Sequence, residues 1–156
     1  DRATAEHVKA AGGYVVPTLV TYDALHRFGR EFGLAEVSLG KLAEVREAGL
    51  RSLEILQAAG VPIGYGTDLL GPMHRYQCRE FVLRAEIMKP IDVIRSATTV
   101  NAALLDRPGE LGVVAAGARA DLIALDGDPL ADISLLDGEG EHLALIMKDG
   151  VLHNMR

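Results

Sequence analysis

The segment of residues 60–68 constrains the fold of this chain more than any other feature of its sequence. It is mostly apolar, contains Pro62 and three glycines, and ends on the carboxylate of Asp68. Short apolar runs bounded by Gly and Pro suit a strand buried on both faces, but periodicity alone does not separate such a strand from a helix. The residues before the segment decide between the two.

Residues 41–59 predict a helix that leads directly into this strand. Apolar or small residues recur there at spacings of three and four, which mark one face of a helix: Leu42, Val45, Gly49, Leu53 and Leu56. Gly60 stands where a helix C-terminus favours a left-handed residue. A helix, a tight turn and a buried strand ending on a polar residue form the repeating unit of α/β barrels and doubly wound sheets. Such folds gather their chemistry at that end of the strands.

A second unit of the same kind precedes this one. The composition of residues 3–11 favours a helix that ends at Gly12 and Gly13. Residues 14–20 are rich in β-branched side chains and predict another buried strand, with Pro17 at its exit, where no ladder donor is needed. Residues 22–39 then predict a short helix and a loop.

The residues after Asp68 predict a loop and two further helices. Residues 69–75 read as the loop and residues 76–88 as helical. Pro90 opens a helix through Leu105, because proline is tolerated in a first turn. One side of this helix carries Ile94, Ala97, Asn101 and Leu104.

The character of the chain changes beyond Asp106, where short strands alternate with Gly, Asp and Pro. The predicted strands are residues 111–114, 120–127, 143–147 and 151–153. The pair Asp149-Gly150 is the strongest short hairpin signal in the chain. An α/β part of residues 1–105 is therefore expected to give way to a small β part of residues 106–156.

Size and composition exclude several classes of protein. The 156 residues are 49% hydrophobic, which suffices for an ordinary core. The net charge of −6 and the aromatic content of 4% argue against a nucleic acid partner. No apolar segment reaches the roughly 20 residues that cross a bilayer. Cys78 is the single cysteine and is interpreted as a packing residue; its lack of a disulfide partner suits a cytoplasmic protein.

Two interpretations of Asp68 remain open from the residues alone. Its carboxylate could cap a following helix, or it could act as a metal ligand or general base at the end of a strand. His74 lies in the loop just after Asp68, within reach of the same pocket, although a lone loop histidine is commonly solvated. The sequence contains no zinc-binding His or Cys spacing, no glycine-rich phosphate loop and no serine hydrolase elbow. Asp121 lies in the turn of residues 117–122, and its side chain is expected to hydrogen-bond that turn before a buried strand.

Two motifs resemble the C-terminal part of the amidohydrolase superfamily. They are Gly66-Thr67-Asp68 and the stretch at residues 111–130, LGVVAAGARADLIALDGDPL, and the ending Met147-Lys148-Asp149-Gly150 fits as well. Residues 16–22 and 66–71 resemble the imidazolonepropionase-like, prolidase-like branch. That branch includes zinc carboxypeptidases acting on Xaa-Pro or other Xaa-Xaa dipeptides or on N-acyl amino acids, and ochratoxin-hydrolysing amidases.

The resemblance implies an α/β fold: the last two strands and helices of a (β/α)8 TIM barrel, followed by the C-terminal half of a small β-sandwich. Residues 14–20 would be barrel strand seven and residues 63–68 strand eight. The family's metal site uses a His-x-His, a bridging lysine and two further histidines, none of which this sequence contains. Only the strand-eight aspartate carries over, onto Asp68.

The resemblance gives Asp68 two roles, as a metal ligand and as the catalytic proton shuttle of amide hydrolysis. The complete enzyme would bind divalent metal, with two zinc ions expected. Thr18 and Tyr22, at and after the end of strand seven, and His74 would face the same mouth as substrate-binding residues. Loop packing is the alternative interpretation for Thr18 and Tyr22, and exposure to solvent is the alternative for His74.

The sequence begins at Asp1 without a methionine, and we interpret it as a fragment. One carboxylate cannot hold two metal ions and two strands cannot close a barrel, so the fragment alone is expected to be inactive. Its expected partners are a small peptide or N-acyl amino acid substrate, the missing N-terminal part of the same enzyme and further copies in a homo-oligomer. A non-catalytic binding or assembly module derived from this fold is the alternative.

Overall fold

The computed structural model describes the backbone of residues 1–155 and the side chains of residues 1–153. The α-helices are α1 Arg2–Ala10, α2 Leu19–Phe28, α3 Glu36–Ala59, α4 Arg79–Ala85, α5 Pro90–Arg95 and α6 Asn101–Leu104. Short 3₁₀ helices span Gly71–Tyr76 and Ile133–Leu136, and a π-helical turn spans Ser96–Val100. None of the helices in this described part combines the length and the apolar character that a membrane-spanning helix requires.

Helix α3 confirms the central helix prediction and extends it toward the N-terminus. It begins at Glu36 rather than at residue 41, because Gly40 is accommodated inside the helix. Its end at Gly60 is as predicted, since Gly60 has φ 69° and a left-handed backbone. Lys9 Nζ donates a hydrogen bond of 2.9 Å to the Ala59 carbonyl and so ties the end of α1 to the end of α3.

The two strands predicted before Asp68 are reduced to one parallel bridge between Val15 and Ile63. The Val15 N–H donates to the Pro62 carbonyl at 3.1 Å, and the Gly64 N–H donates to the Val15 carbonyl at 2.9 Å. The prediction of a strand through residue 20 is wrong, because α2 already begins at Leu19. Beyond the bridge, side chains rather than a neighbouring strand hold the backbone.

The C-terminal region forms a three-stranded antiparallel sheet in the order β1-β2-β3, where β1 is Leu122–Leu125, β2 is Leu143–Lys148 and β3 is Val151–Met155. The Asp149-Gly150 hairpin is confirmed, and both residues have the positive φ values, 49° and 77°, that a type I′ turn requires. The strand predicted at residues 111–114 is wrong. Gly112 has φ 70° and its backbone packs against Thr98, where a Cβ would lie 2.5 Å from the Thr98 carbonyl carbon.

The hydrophobic core lies among the helices and takes in the segment that precedes Asp68. Gly49 lets α2 and α3 approach closely, because a Cβ there would lie 2.8 Å from Leu19 Cδ2. The most deeply buried members of the core, each at most 1% exposed, are Val20, Ala24, Leu53, Leu83 and Val93. Cys78 is half-buried next to α4, and burial, with Asp137 and Glu139 nearby, raises the pKa of its thiol.

A fully buried ion pair within α4 joins this helix to both chain segments of the bridge. Arg84 Nε donates to Glu80 Oε1 at 2.7 Å, and both side chains are 0% exposed. The Arg84 guanidinium also donates to the Pro17 carbonyl at 2.6 Å and to the Gly64 carbonyl at 2.8 Å. Glu80 Oε2 accepts from the Val20 N–H at 2.7 Å and thereby caps the N-terminus of α2.

The surroundings of this pair compensate for the removal of its charges from water. Burial raises the pKa of the Glu80 carboxyl, whereas Arg84 and the N–H groups of Val20 and Leu19 oppose that rise. Arg84 makes a further bond of 3.3 Å to Ser96 Oγ, and its guanidinium carbon lies 4.9 Å from the centre of the Tyr65 ring. Within the described residues, no buried side-chain nitrogen or oxygen lacks a hydrogen-bond partner.

We predict that Arg84→Met destabilises the intact protein by about 3–5 kcal/mol, because it leaves Glu80 buried without its counter-charge. Arg51→Met is the matched control, since Arg51 pairs with Glu47 at the same i,i+4 spacing but on the surface. That change is expected to cost less than about 1 kcal/mol. Urea unfolding measures both values, and equal losses for the two variants would contradict the prediction.

Candidate functional site

Asp68 stands on a left-handed turn at the end of the segment of residues 61–67. Its φ of 50° is uncommon for a residue other than glycine, although aspartate tolerates this region better than most. The turn leaves Asp68 exposed and directs the next residue, Leu69, into the core, where it is only 4% exposed. Among the described residues, no hydrogen bond or ion pair to the Asp68 side chain is found, so the structure gives no support to a helix-capping role.

The backbone leading to Asp68 is held by side chains from three helices. Asn101 bonds the N–H and the carbonyl of Tyr65, each at 2.9 Å. Arg84 bonds the Gly64 carbonyl, and Thr21 Oγ1 donates to the Thr67 carbonyl. These bonds hold the part of the segment that pairs with no strand among the described residues.

The Tyr65 side chain anchors the same segment to α4 and the turn before it. Its hydroxyl donates to the Gln77 carbonyl at 3.1 Å, and its ring packs on Phe81 with a centroid separation of 4.5 Å. Burial, followed by the charge of Glu80, raises the pKa of this phenol. The residue is therefore a neutral packing group at ordinary pH.

Two glycines allow the segment to pass close to its neighbours. A Cβ at Gly66 would lie 2.7 Å from Val16 Cγ1, and a Cβ at Gly64 would lie 2.8 Å from Asn101 Oδ1. Neither glycine has a positive φ, so the requirement is for space rather than for an unusual backbone conformation. Of the three glycines that identified the segment in the sequence, Gly64 and Gly66 thus reflect close packing, whereas Gly60 supplies the left-handed end of α3.

The residues proposed to bind substrate lie on α2, at its start and on the 3₁₀ helix after Asp68. Thr18 is the half-buried N-cap of α2, and a Cβ at Gly66 would lie 3.9 Å from its methyl carbon. Tyr22 lies on α2 and is 37% exposed. His74 is exposed on the 3₁₀ helix Gly71–Tyr76, which Tyr76 attaches to α2 by stacking on Phe28 at 4.3 Å. No hydrogen bond or ion pair described in the structure joins these three residues to Asp68.

The described residues do not form a metal site by themselves. Residues 1–155 contain no group of three or more His, Cys, Asp or Glu side chains arranged to hold a metal ion. Asp68 offers a single carboxylate, which does not fit a complete metal centre. The turn that the Asp121 side chain binds is the β2–β3 hairpin and not, as the sequence predicts, the turn of residues 117–122 that contains it. The Asp121 carboxylate accepts a 2.8 Å bond from the Asp149 N–H and pairs with Lys148, and both interactions hold its pKa below the usual value.

Asn101, Thr21 and Arg84 contact the Asp68 segment, although no site role is predicted for them from the sequence. A signal for Asn101 was present, because this amide lies on the same predicted helix side as Ile94, Ala97 and Leu104. A polar residue on an otherwise apolar face needs a hydrogen-bond partner when it packs inward. Thr21 and Arg84 carry no comparable local signal.

We predict that Gly66→Ala destabilises the intact protein by about 1–3 kcal/mol, because the new methyl group overlaps Val16. Adding Val16→Ala should restore part of this loss, so that the double variant loses less than the sum of the single changes. Gly40→Ala, which has open space around it inside α3, should instead stabilise the protein by roughly 0.5–1 kcal/mol. Denaturant unfolding of the four variants tests this, and additive losses would refute the overlap.

Comparisons with solved structures return close relatives over the full length of the chain. A crystal structure of an amidohydrolase is 49% identical with a TM-score of 0.94, covering 100% of this chain and 38% of that chain. A prolidase complexed with N-methylphosphonate-L-proline is 47% identical with a TM-score of 0.93 and the same coverage. A Xaa-Pro dipeptidase with bound methionine in its active site is 30% identical with a TM-score of 0.83, covering 99% of this chain and 37% of that chain.

The chain thus spans about 38% of the length of the first of these solved relatives. A comparison with curated proteins found no match. A family model described as the amidohydrolase family matches residues 3–152, which is nearly the whole chain. On this match, and on the resemblance of its Gly-Thr-Asp segment and turn motifs, the chain belongs to the amidohydrolase family.

Proposed function

We propose that this chain is the C-terminal part of a metal-dependent enzyme that hydrolyses an amide bond. The observation that carries the proposal is Asp68, an exposed carboxylate on a left-handed turn whose preceding backbone is fixed by Arg84, Asn101 and Thr21. A carboxylate without an internal partner is available for chemistry, and strained turns of this kind are common at active sites. Membership of the amidohydrolase family supports the same reaction class.

Dipeptides ending in proline are the first substrate class of the proposal, and other Xaa-Xaa dipeptides and N-acyl amino acids are the next. The similarity to a prolidase at 47% identity and to a Xaa-Pro dipeptidase at 30% identity supports this order. Thr18, Tyr22 and His74 are the proposed substrate-binding residues of this part of the protein. The closeness of the Thr18 methyl carbon to Gly66 supports the assignment of Thr18, and Tyr22 follows Thr21, which bonds the Thr67 carbonyl.

Asp68 is the proposed metal ligand and proton shuttle. Its carboxylate takes a proton from the attacking water and later gives it to the leaving nitrogen, as a general base and then a general acid. Divalent metal, with two zinc ions proposed, would supply the lowered pKa of that water. Since the described residues offer one donor, the other ligands are assigned to the portion of the relatives' length that this chain does not span.

We propose that the barrel, like the metal ligands, is divided between this chain and the portion of the relatives' length that it does not span. Residues 1–105 would supply the last two strands and helices of a (β/α)8 barrel, and residues 106–156 half of a composite β-sandwich. The parallel bridge between Val15 and Ile63 supports the first assignment, and the antiparallel sheet supports the second. Two strands cannot close a barrel of eight, so residues 1–156 alone are expected to be inactive.

We expect Asp68→Asn, made in the full-length protein, to lower kcat for Xaa-Pro hydrolysis by about 10²–10⁴-fold, because the shuttle is lost. Asp106→Asn is a matched control, because Asp106 is also an exposed aspartate with a positive φ, 57°, and it is not one of the proposed site residues. Its kcat should stay within about two-fold of the parent. Metal content by mass spectrometry should be lower in the Asp68 variant only.

Two results would contradict the proposal. Unchanged hydrolysis by Asp68→Asn would remove Asp68 from the chemistry. A full-length protein that contains no divalent metal and cleaves neither dipeptides nor N-acyl amino acids would favour the second candidate, a non-catalytic binding or assembly module. The absence of a three-ligand cluster from the described residues is the observation that keeps this second candidate in view.

A further inference from the structure

The Asn101 side chain hydrogen-bonds both the N–H and the carbonyl of Tyr65, as a residue of a neighbouring strand would. Its Oδ1 accepts from the Tyr65 N–H and its Nδ2 donates to the Tyr65 carbonyl, both at 2.9 Å. The two bonds use opposite ends of one side-chain amide, so they fix the orientation of the segment as well as its distance from the helix. Tyr65 lies three residues before Asp68 in the sequence.

The π-helical turn Ser96–Val100 explains how Asn101 reaches this position. In a regular α-helix, residues five apart are rotated by about 140° from each other, but in a π-helix they lie about one turn apart. Ser96 and Asn101 can therefore face the same side. Ser96 Oγ contacts Arg84, which bonds the Gly64 carbonyl, while Asn101 bonds the next residue.

The segment that leads to Asp68 is also restrained by α2, and it packs closely against Asn101 of α6. Thr21 holds the Thr67 carbonyl, one residue before Asp68. Gly64 already approaches Asn101 so closely that a Cβ there would lie 2.8 Å from Asn101 Oδ1. Asn101 and Thr21 thus hold the chain from two different helices just before the left-handed turn at Asp68.

We propose that Asn101, presented by the π-helical turn, is a positioning residue that sets where the Asp68 carboxylate is held. The proposal rests on the function proposed for Asp68. Asn101 acts through the backbone of Tyr65 and does not touch the reacting atoms. Loss of its two bonds should leave the core packed, because its partners are backbone groups in a segment that Arg84 and Thr21 still hold, while the approach to Asp68 becomes mobile.

The test compares Asn101→Ala with Thr98→Val in the full-length protein. Thr98 is a matched control on the same π-helical turn, because its hydroxyl bonds only its own helix, at the Ile94 carbonyl. Hydrogen exchange of the Tyr65 amide, kcat and KM for a Xaa-Pro dipeptide, and the unfolding midpoint are measured for each variant. Asp68→Asn is measured beside them.

We expect Asn101→Ala to raise the exchange rate of the Tyr65 amide at least about ten-fold, since its acceptor is removed. It should lower kcat by about 10–100-fold, the usual effect of removing a group that orients a site residue, with KM within about two-fold. Thr98→Val should leave all three quantities within about two-fold. Asn101→Asp, which keeps the shape and the acceptor, should restore part of the exchange protection, and it replaces Asn101→Ala if that variant does not fold.

The outcomes separate the two proposals. If Asp68→Asn is inactive but Asn101→Ala and Thr98→Val lose equal kcat, the positioning role of Asn101 is overturned and the proposed function stands. If Tyr65 exchange is unchanged in Asn101→Ala, the positioning role is overturned as well. If Asp68→Asn keeps full activity, the proposed function fails and the positioning role fails with it.

Discussion

The buried guanidinium of Arg84 is the interaction on which the rest of the structure depends. It is bound to a carboxylate of its own helix and to two carbonyl groups that belong to separate chain segments, at Pro17 and Gly64. A buried charge pair is stabilising only when its remaining hydrogen-bonding groups are satisfied. The same bonds that meet this requirement also fix where the segments end and where α2 begins. The bonds that compensate the buried charge of Arg84 therefore also position the backbone that leads to the candidate site.

The candidate site is positioned mainly by helices rather than by a sheet. The backbone before Asp68 contributes one parallel bridge, and four more of its polar groups are bonded by side chains on α2, α4 and α6. Side chains can be exchanged one at a time without breaking a ladder, whereas a strand pair changes as a unit. The geometry at Asp68 is thus set by a few separable contacts, each open to its own substitution.

Local signals in the sequence predicted the elements that local interactions determine. The spacing in residues 41–59, the glycine at position 60 and the Asp149-Gly150 pair all correspond to the observed helix, cap and hairpin. The resemblance in residues 66–68 and 111–130 led to the family that the comparisons confirm. The strand prediction at Leu19 and Val20 is wrong. Their apolar and β-branched character is typical of a strand, but these residues form the first turn of α2, where they are buried and where Glu80 caps the helix. The roles of Glu80 and Arg84 had no local signal, since an i,i+4 pair of this kind is ordinarily a surface feature.

The distance along the chain between α2 and its cap has a consequence for synthesis. Val20 and Glu80 are 60 residues apart, and Pro17 and Arg84 are 67 apart. At a translation rate of about 5–20 residues per second, the 60 intervening residues take about 3–12 s to emerge from the ribosome. During that time the first turn of α2 lacks its carboxylate, and the apolar residues of that turn lack the core that covers them. Until residue 84 has been synthesised, we therefore expect the first turn of α2 to be open to chaperone binding.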